Sequence, residues 1–256
     1  MSSFDFRTRV MQGPTVFMSW VSMPEPLVAE ATARAGFDAV NIDMQHGLHD
    51  PVSVMRAIGG VAAAGKPAVV RVPLGDFAMA SRALDMGASA VIAPMINTVA
   101  DARAFAEATK FPPLGKRSWG PARAMTLRGE TDGTRHLASV NGETLALAMI
   151  ETREALDNLE AILDVDGIDG AFVGPSDLSI TLSDGAYVNG DAPIVDEPVR
   201  RILAAAEARG KVAAIYAISG ARARQMAVLG YRLVAIAQDQ LYLAQGAKAM
   251  LAEARG

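Results

Sequence analysis

The chain has 256 residues, 51% of them hydrophobic, enough for one barrel-sized domain or two small ones and for a substantial core. A net charge of −4 and a pI near 5.4 supply no basic stripe of the kind nucleic-acid binding requires. Cysteine is absent, which removes disulfides, thiolate nucleophiles and thiolate metal sites together.

In chain order, Met1 to Arg9 mix charged and polar groups without the apolar segment of a secretory signal. No apolar run reaches the roughly 20 residues that cross a bilayer, so a soluble cytoplasmic protein with no membrane partner is expected. Short apolar runs then alternate with segments of helical period. Strands are predicted at Thr15 to Trp20, Ala39 to Asp43, Pro67 to Val72, Ser89 to Pro94, Leu145 to Ile150, Asp169 to Val173, Val212 to Tyr216 and Leu233 to Ala237. Several lack polar alternation, as parallel strands buried on both faces do. Helices are predicted between them at Pro26 to Ala35, Pro51 to Ala64, Phe77 to Met86, Val99 to Thr109, Arg153 to Leu163, Val199 to Arg209 and Arg222 to Leu229.

Thr98 with Asp101 three residues on reads as a helix start, and Gly36, Gly87, Gly210 and Gly230 as helix stops. The stretch from Phe111 to Ala124 is irregular, and a long barrel loop is usually a lid or a subunit contact. Its Arg117, Trp119 and Arg123 are placed to reach a ligand or a neighbouring chain. A last helix, Leu241 to Ala254, packs on its own barrel or is exchanged with a neighbour's. Eight strand–helix units close most economically as a single (β/α)8 TIM barrel over residues 1–256. The competing doubly wound sheet lacks a glycine-rich dinucleotide fingerprint after the first strand.

Barrel chemistry gathers at the C-terminal ends of the strands. Trp20 ends strand one, Asp43 ends strand two with His46 just beyond, and Arg71 lies near the end of strand three. Glu151 follows strand five. Asp177 follows strand six in the segment Gly174-Pro175-Ser176-Asp177. Two carboxylates on adjacent strands make half a shell for a hard divalent cation, Mg²⁺ or Mn²⁺, against the alternative of ordinary loop acids with Asp177 capping a helix. Asp43 beside His46 suggests a general-base dyad, against a plain rim contact to a backbone amide. His49 and His136 are read as surface residues. Arg71 needs an anionic partner, either Glu151 or another rim carboxylate, or a substrate oxygen that becomes negative during reaction. The helix start at Ser176 and Asp177 offers free amides to a carboxylate. Such a site suits a small 2-oxo acid, enolised and condensed with an aldehyde or released from one by retro-aldol cleavage. Lys66 and Lys211 precede strands, at the wrong face for a Schiff base.

These residues sit in segments that together resemble the HpcH/HpaI family of class II pyruvate aldolases, over essentially the whole chain. The segments are Ala35-Gly36-Phe37-Asp38, Ile42-Asp43-Met44-Gln45-His46-Gly47, Val70-Arg71-Val72-Pro73, Ala83-Leu84-Asp85-Met86-Gly87-Ala88, Phe111-Pro112-Pro113-Leu114-Gly115-Lys116-Arg117, Ile150-Glu151-Thr152 and Val173-Gly174-Pro175-Ser176-Asp177-Leu178-Ser179. The resemblance implies a phosphoenolpyruvate/pyruvate-binding type of barrel, with Glu151 and Asp177 as ligands to Mg²⁺, Mn²⁺ or Co²⁺. It further implies Arg71 at the keto oxygen, His46 with Asp43 as base, and the Gly174 to Asp177 turn on the substrate carboxylate. Trp20 would lie against the pocket. A homo-hexamer built as a trimer of dimers is implied, with Asp85 supplied to a neighbour's site. Gln45 and Met149 depart from the family's acidic residue and glutamine, and bear on substrate choice. Two rival functions remain: a citrate-lyase-like enzyme acting on an acyl-CoA thioester, with Arg117 and Arg123 on the nucleotide, and a non-catalytic 2-oxo acid binding protein.

Overall fold

The computed structural model describes residues 6–256. Residues 1–5, part of the segment read as free of a secretory signal, lie outside the described residues. Eight parallel strands close on themselves: β1 (Val16–Val21), β2 (Ala39–Asp43), β3 (Ala68–Arg71), β4 (Ala90–Ala93), β5 (Leu145–Ile150), β6 (Gly170–Val173), β7 (Val212–Ala217) and β8 (Leu233–Ile236), with β8 paired to β1. The helices are α1 (Phe6–Gln12), α2 (Pro26–Arg34), α3 (Pro51–Ala63), α4 (Phe77–Met86), α5 (Val99–Thr109), α6 (Ala122–Arg128), α7 (Gly133–Glu143), α8 (Arg153–Asp157), α9 (Leu159–Leu163), α10 (Pro175–Leu182), α11 (Pro193–Glu207), α12 (Gly220–Leu229) and α13 (Asp239–Arg255). The predicted TIM barrel is therefore the observed fold, with strand limits within two residues of those read from the sequence. No helix among the described residues is long and apolar enough to cross a membrane.

Side chains alternate across each strand, so the chain carries two apolar cores. The outer one, with Val40, Ile42, Val70, Val91, Ile150 and Val173, meets the helices. The inner one, with Met18, Val69, Ile92, Leu147, Phe172 and Ala214, fills the barrel. Phe6 and Val10 of α1 belong to the inner cluster, so this helix, which the sequence reading omitted, plugs one end of the barrel. Arg7 of α1 is ion-paired to Asp169, just before β6, and that carboxylate also takes the buried Lys110 ammonium at 2.7 Å and the Ala146 amide at 2.7 Å. The opposite end stays open.

Local signals explain the helix limits. Thr98 and Asp101 form a reciprocal capping box at α5. Gly36, Gly87, Gly210 and Gly230 all take positive φ at helix ends. Three readings change. The segment from Arg153 to Leu163 breaks at Asn158 into α8 and α9. The helix read from Val199 begins at Pro193, because Pro198 lies inside it and costs one backbone hydrogen bond that the burial of Val195, Val199 and Ile202 outweighs. The Phe111 loop ends at α6, and α7 follows; α7 buries only His136 and Val140, too narrow a stripe to show as a helical pattern.

Two histidines read as surface residues are buried. His136 packs edge-on against Trp119, with ring centroids 6.0 Å apart, and His49 approaches the Ser53 hydroxyl at 3.2 Å. The last helix, α13, is exposed along nearly its whole length, including Leu243, Met250 and Leu251.

Among the described residues, Asp169 is the carboxylate ion-paired to buried Lys110. Replacing it by Asn leaves an uncompensated ammonium, and the cost expected is about 3 kcal/mol, read as a lowered urea midpoint with unchanged slope.

Candidate active site

Where the inner aliphatic layers end at the open rim, polar side chains take over. Trp20, Ser22, Asp43, His46, Arg71, Met149, Gly174 to Asp177, Tyr216 and Gln238 line a cavity of about 190 Å³. That volume suits a few-carbon ligand.

Asp43 and Arg71 are register partners on neighbouring parallel strands. Their side chains therefore project side by side, and the guanidinium binds the carboxylate through two bonds, Nε to Oδ1 at 2.8 Å and Nη2 to Oδ2 at 2.7 Å. The Trp20 indole donates to the same carboxylate at 3.2 Å and the Gln45 amide at 3.0 Å. Arg71 also lies over the Trp20 ring, 4.8 Å from its centroid. Burial alone would raise the Asp43 pKa, but the Arg71 charge and these donors bring it below the usual carboxylate value. Asp43 is thus a permanent anion whose partner is Arg71.

Of the carboxylate partners expected for Arg71, Glu151 or another at the rim, the structure has the second, Asp43. One expectation is corrected by that pair. No hydrogen bond joins His46 to Asp43, because the oxygens of Asp43 are engaged by Arg71, Trp20 and Gln45. His46 stands exposed at the rim and lines the cavity independently. Asp85 lies elsewhere in the chain: on α4, it is ion-paired to Arg117 at 2.5 Å and does not line this cavity. Arg117 itself is buried, over the Phe111 ring, and Arg123 lies against Gly59 on α3.

Glu151 follows β5 and is 2% exposed. Its Oε1 accepts the Met95 amide at 2.8 Å, and Met95 holds the left-handed region at φ 53, an uncommon conformation for a side chain of that size. Burial, with the nearby Asp177 charge, raises the Glu151 pKa to about 7 even though the Met95 amide opposes the shift. Gly174 is required here for space rather than for φ: a Cβ would fall 2.1 Å from Glu151 Oε2 and 3.0 Å from Met149 Cε. Asp177 is exposed on the first turn of α10. Both carboxylates border an open cleft beside the cavity, and Asp177 of the two also lines the cavity itself.

A divalent cation fits this pair. The donors are all oxygen, burial and the Asp177 charge raise the Glu151 pKa to about 7, a shift a bound cation would oppose, and a glycine leaves the space open. No group of three His, Cys, Asp or Glu suited to a metal occurs among the described residues, so a cation on this pair would draw the rest of its coordination from substrate and water. Gly174 provides no capping side chain to α10, and the amides of Ser176 and Asp177 stand open to an anion.

Sequence reasoning missed Ser22, Tyr216 and Gln238. Tyr216 and Gln238 end or follow predicted strands, and the strand-end rule would have found them had it been applied to neutral residues.

The folded chain holds the Glu151 proton between its ordinary value of 4.5 and about 7. Metal-free stability should therefore fall as pH rises through that window, by on the order of 3 kcal/mol. Urea unfolding in chelator should show this slope, and Glu151→Gln should flatten it. Gly174→Ala should displace the carboxylate and weaken divalent-cation binding at least tenfold by calorimetry, with little change in circular dichroism.

The profile of the family described as HpcH/HpaI aldolase/citrate lyase matches residues 16–246. A hydroxypyruvate/pyruvate aldolase of Rhizorhabdus wittichii is 39% identical over 249 residues, covering 97% of this chain and 98% of the relative. A 4-hydroxy-2-oxo-heptane-1,7-dioate aldolase of Salmonella arizonae is 34% identical over 247 residues, covering 96% and 93%. The crystal structure of an HpcH/HpaI aldolase/citrate lyase family protein from Burkholderia cenocepacia matches with a TM-score of 0.87 and 30% identity, over 99% of this chain and 100% of that one. Matched along nearly its whole length in both sequence and fold, the chain belongs to the HpcH/HpaI aldolase/citrate lyase family.

Proposed function

We propose that this chain is a metal-dependent aldolase that makes and cleaves 4-hydroxy-2-oxo acids, with pyruvate or a close 2-oxo acid as the enolate partner. The observation that carries the reading is the gathering of a cation-ready carboxylate pair, an oriented guanidinium, an imidazole and open helix amides at one end of the barrel, with Asp177, Arg71 and His46 lining one small cavity and Glu151 the adjoining cleft. A divalent cation held by Glu151 and Asp177 would acidify the C3 protons of the 2-oxo acid and offset the charge of its enolate.

The chain's own groups account for the rest. The amides of Ser176 and Asp177 suit the substrate carboxylate. Arg71, fixed by Asp43 and Trp20, keeps unused donors for the 2-oxo oxygen, since a guanidinium has five. In cleavage His46 takes the proton of the C4 hydroxyl, the C3–C4 bond breaks, and the aldehyde leaves; in synthesis the same imidazole removes a C3 proton. The absence of a hydrogen bond between Asp43 and His46 makes Asp43 the positioning residue of Arg71.

The acyl-CoA alternative loses its proposed basic region, since Arg117 is buried against Asp85 and Arg123 lies along α3. A pure binding role would not call for His46. Assembly as a homo-hexamer, with Asp85 completing a neighbour's site, agrees with the outlying position of Asp85 and with the bare apolar residues of α13. Leu243→Glu combined with Met250→Glu should then reduce the sedimenting mass, with the barrel's circular dichroism retained.

Chelator should abolish pyruvate release from 4-hydroxy-2-oxo acids, and Mg²⁺, Mn²⁺ or Co²⁺ should restore it. Arg71→Ala should slow exchange of pyruvate C3 protons by about 10²-fold or more while the fold survives. Chelator-resistant turnover that borohydride traps would overturn the assignment.

A further inference from the structure

Glu151 presents its two carboxylate oxygens unequally. Oε1 accepts the Met95 amide at 2.8 Å. Oε2 lies toward Gly174, where a Cβ would fall 2.1 Å from it, and Gly174 opens the turn that carries Asp177. One oxygen is therefore engaged by backbone, and the other faces the turn that bears the second carboxylate.

Met95 reaches Glu151 from a conformation, φ 53, that a side chain of its size resists, so neighbouring groups must hold it there. They come from both sides of Glu151 itself. The Ile96 amide donates to the Met149 carbonyl on β5 at 3.3 Å. Asn97 then ties the loop twice more. Its Oδ1 accepts the Thr152 hydroxyl at 2.6 Å, and its carbonyl accepts the Asn158 side-chain amide at 2.9 Å. Thr152 directly follows Glu151, and Asn158 is the residue at which α8 gives way to α9.

Helix capping does not account for Asn97. Thr98 caps α5 with Asp101, and Thr152 caps α8 by accepting the Ala155 amide at 3.0 Å. Neither helix needs Asn97 to begin. What Asn97 sets is the spacing between the β4–α5 loop and the β5–α8 loop, and with it the place of the Met95 amide on Glu151.

That placement bears on which cation fits. A carboxylate with one oxygen held by a backbone donor meets a cation with the other alone. Mg²⁺ demands a compact octahedral oxygen shell, and Mn²⁺ accepts the same shell. Ca²⁺ gathers about six to eight oxygens and gains from carboxylates that bite with both.

We propose that Asn97 is a positioning residue for Glu151. By tethering the Met95 amide to Oε1 it leaves only Oε2 to a cation, and so biases the site toward a small octahedral divalent cation over Ca²⁺. The proposal rests on the reading above that Glu151 and Asp177 hold a divalent cation.

The test is calorimetric titration of the full chain with Mn²⁺ and, separately, with Ca²⁺, both without substrate. In Asn97→Ala the Mn²⁺ Kd is expected to rise about tenfold while the Ca²⁺ Kd changes less, so the preference for Mn²⁺ falls. Asn158→Ala is expected to shift the preference in the same direction by a smaller factor. Asn97→Asp, which keeps an acceptor for Thr152, is expected to retain it. Circular dichroism checks each fold, and if Asn97→Ala does not fold, Asn158→Ala decides by the same criterion. An unchanged preference in the alanine variants, an equal loss for both cations, or a loss as large in Asn97→Asp overturns the proposal. A wild-type chain that binds Mn²⁺ no better than Ca²⁺ removes the tether's role alone, whereas one that binds neither removes the cation reading beneath it.

Discussion

Closure of eight parallel strands governs the whole molecule. Parallel pairing aligns every strand in one direction, so eight C-terminal ends meet at one rim. Alternation then allows only every second residue to point inward. Along β2 that gives Ala39, Asn41 and Asp43, and along β5 Leu145, Leu147 and Met149. The lower positions are buried among aliphatic side chains or under α1, which seals the other end with Phe6 and Val10. At the open end the strands' inward-pointing charges, Asp43 and Arg71, are paired in the topmost layer, and that layer holds the site.

The charges in this layer are arranged in opposite ways. Asp43 and Arg71 satisfy each other and stay ionised, giving a rigid, neutral unit with donors to spare. Glu151 and Asp177 have no side-chain cation between them, and the buried member responds by holding its proton toward neutral pH. A cation would reverse that response. One pair is therefore a positioning device and the other a receptor for charge, and the small cavity connects them.

Much of this was legible beforehand because it depends on local chemistry. Apolar runs such as Leu145–Ile150, the Thr98 capping box and the glycine stops each signal their own structure within a few residues. Glu151, Arg71 and Asp177 stood out because charged residues at strand ends are expensive without a purpose. What escaped notice lacks such a local signature. The helix α1 is short, α7 buries too narrow a stripe, and Pro198 imitates a breaker inside a helix whose burial overrides it. Tyr216 and Gln238 are neutral, so the cost argument that singles out a buried charge passed over them.

The sequence by itself determined the barrel, its strand order and the charged members of its rim, because hydrophobic period and the cost of burying charge act over a few residues. Only the tertiary structure decided who pairs with whom. Asp43 turned from His46 to Arg71 because parallel register makes those two cross-strand neighbours, a relation 28 residues apart in the chain. It also set Asp85 apart from the cavity, buried His49 and His136, and brought Tyr216, Gln238 and Ser22 together through the closure of β8 on β1. Each of these depends on distances between strands that no short stretch of sequence encodes.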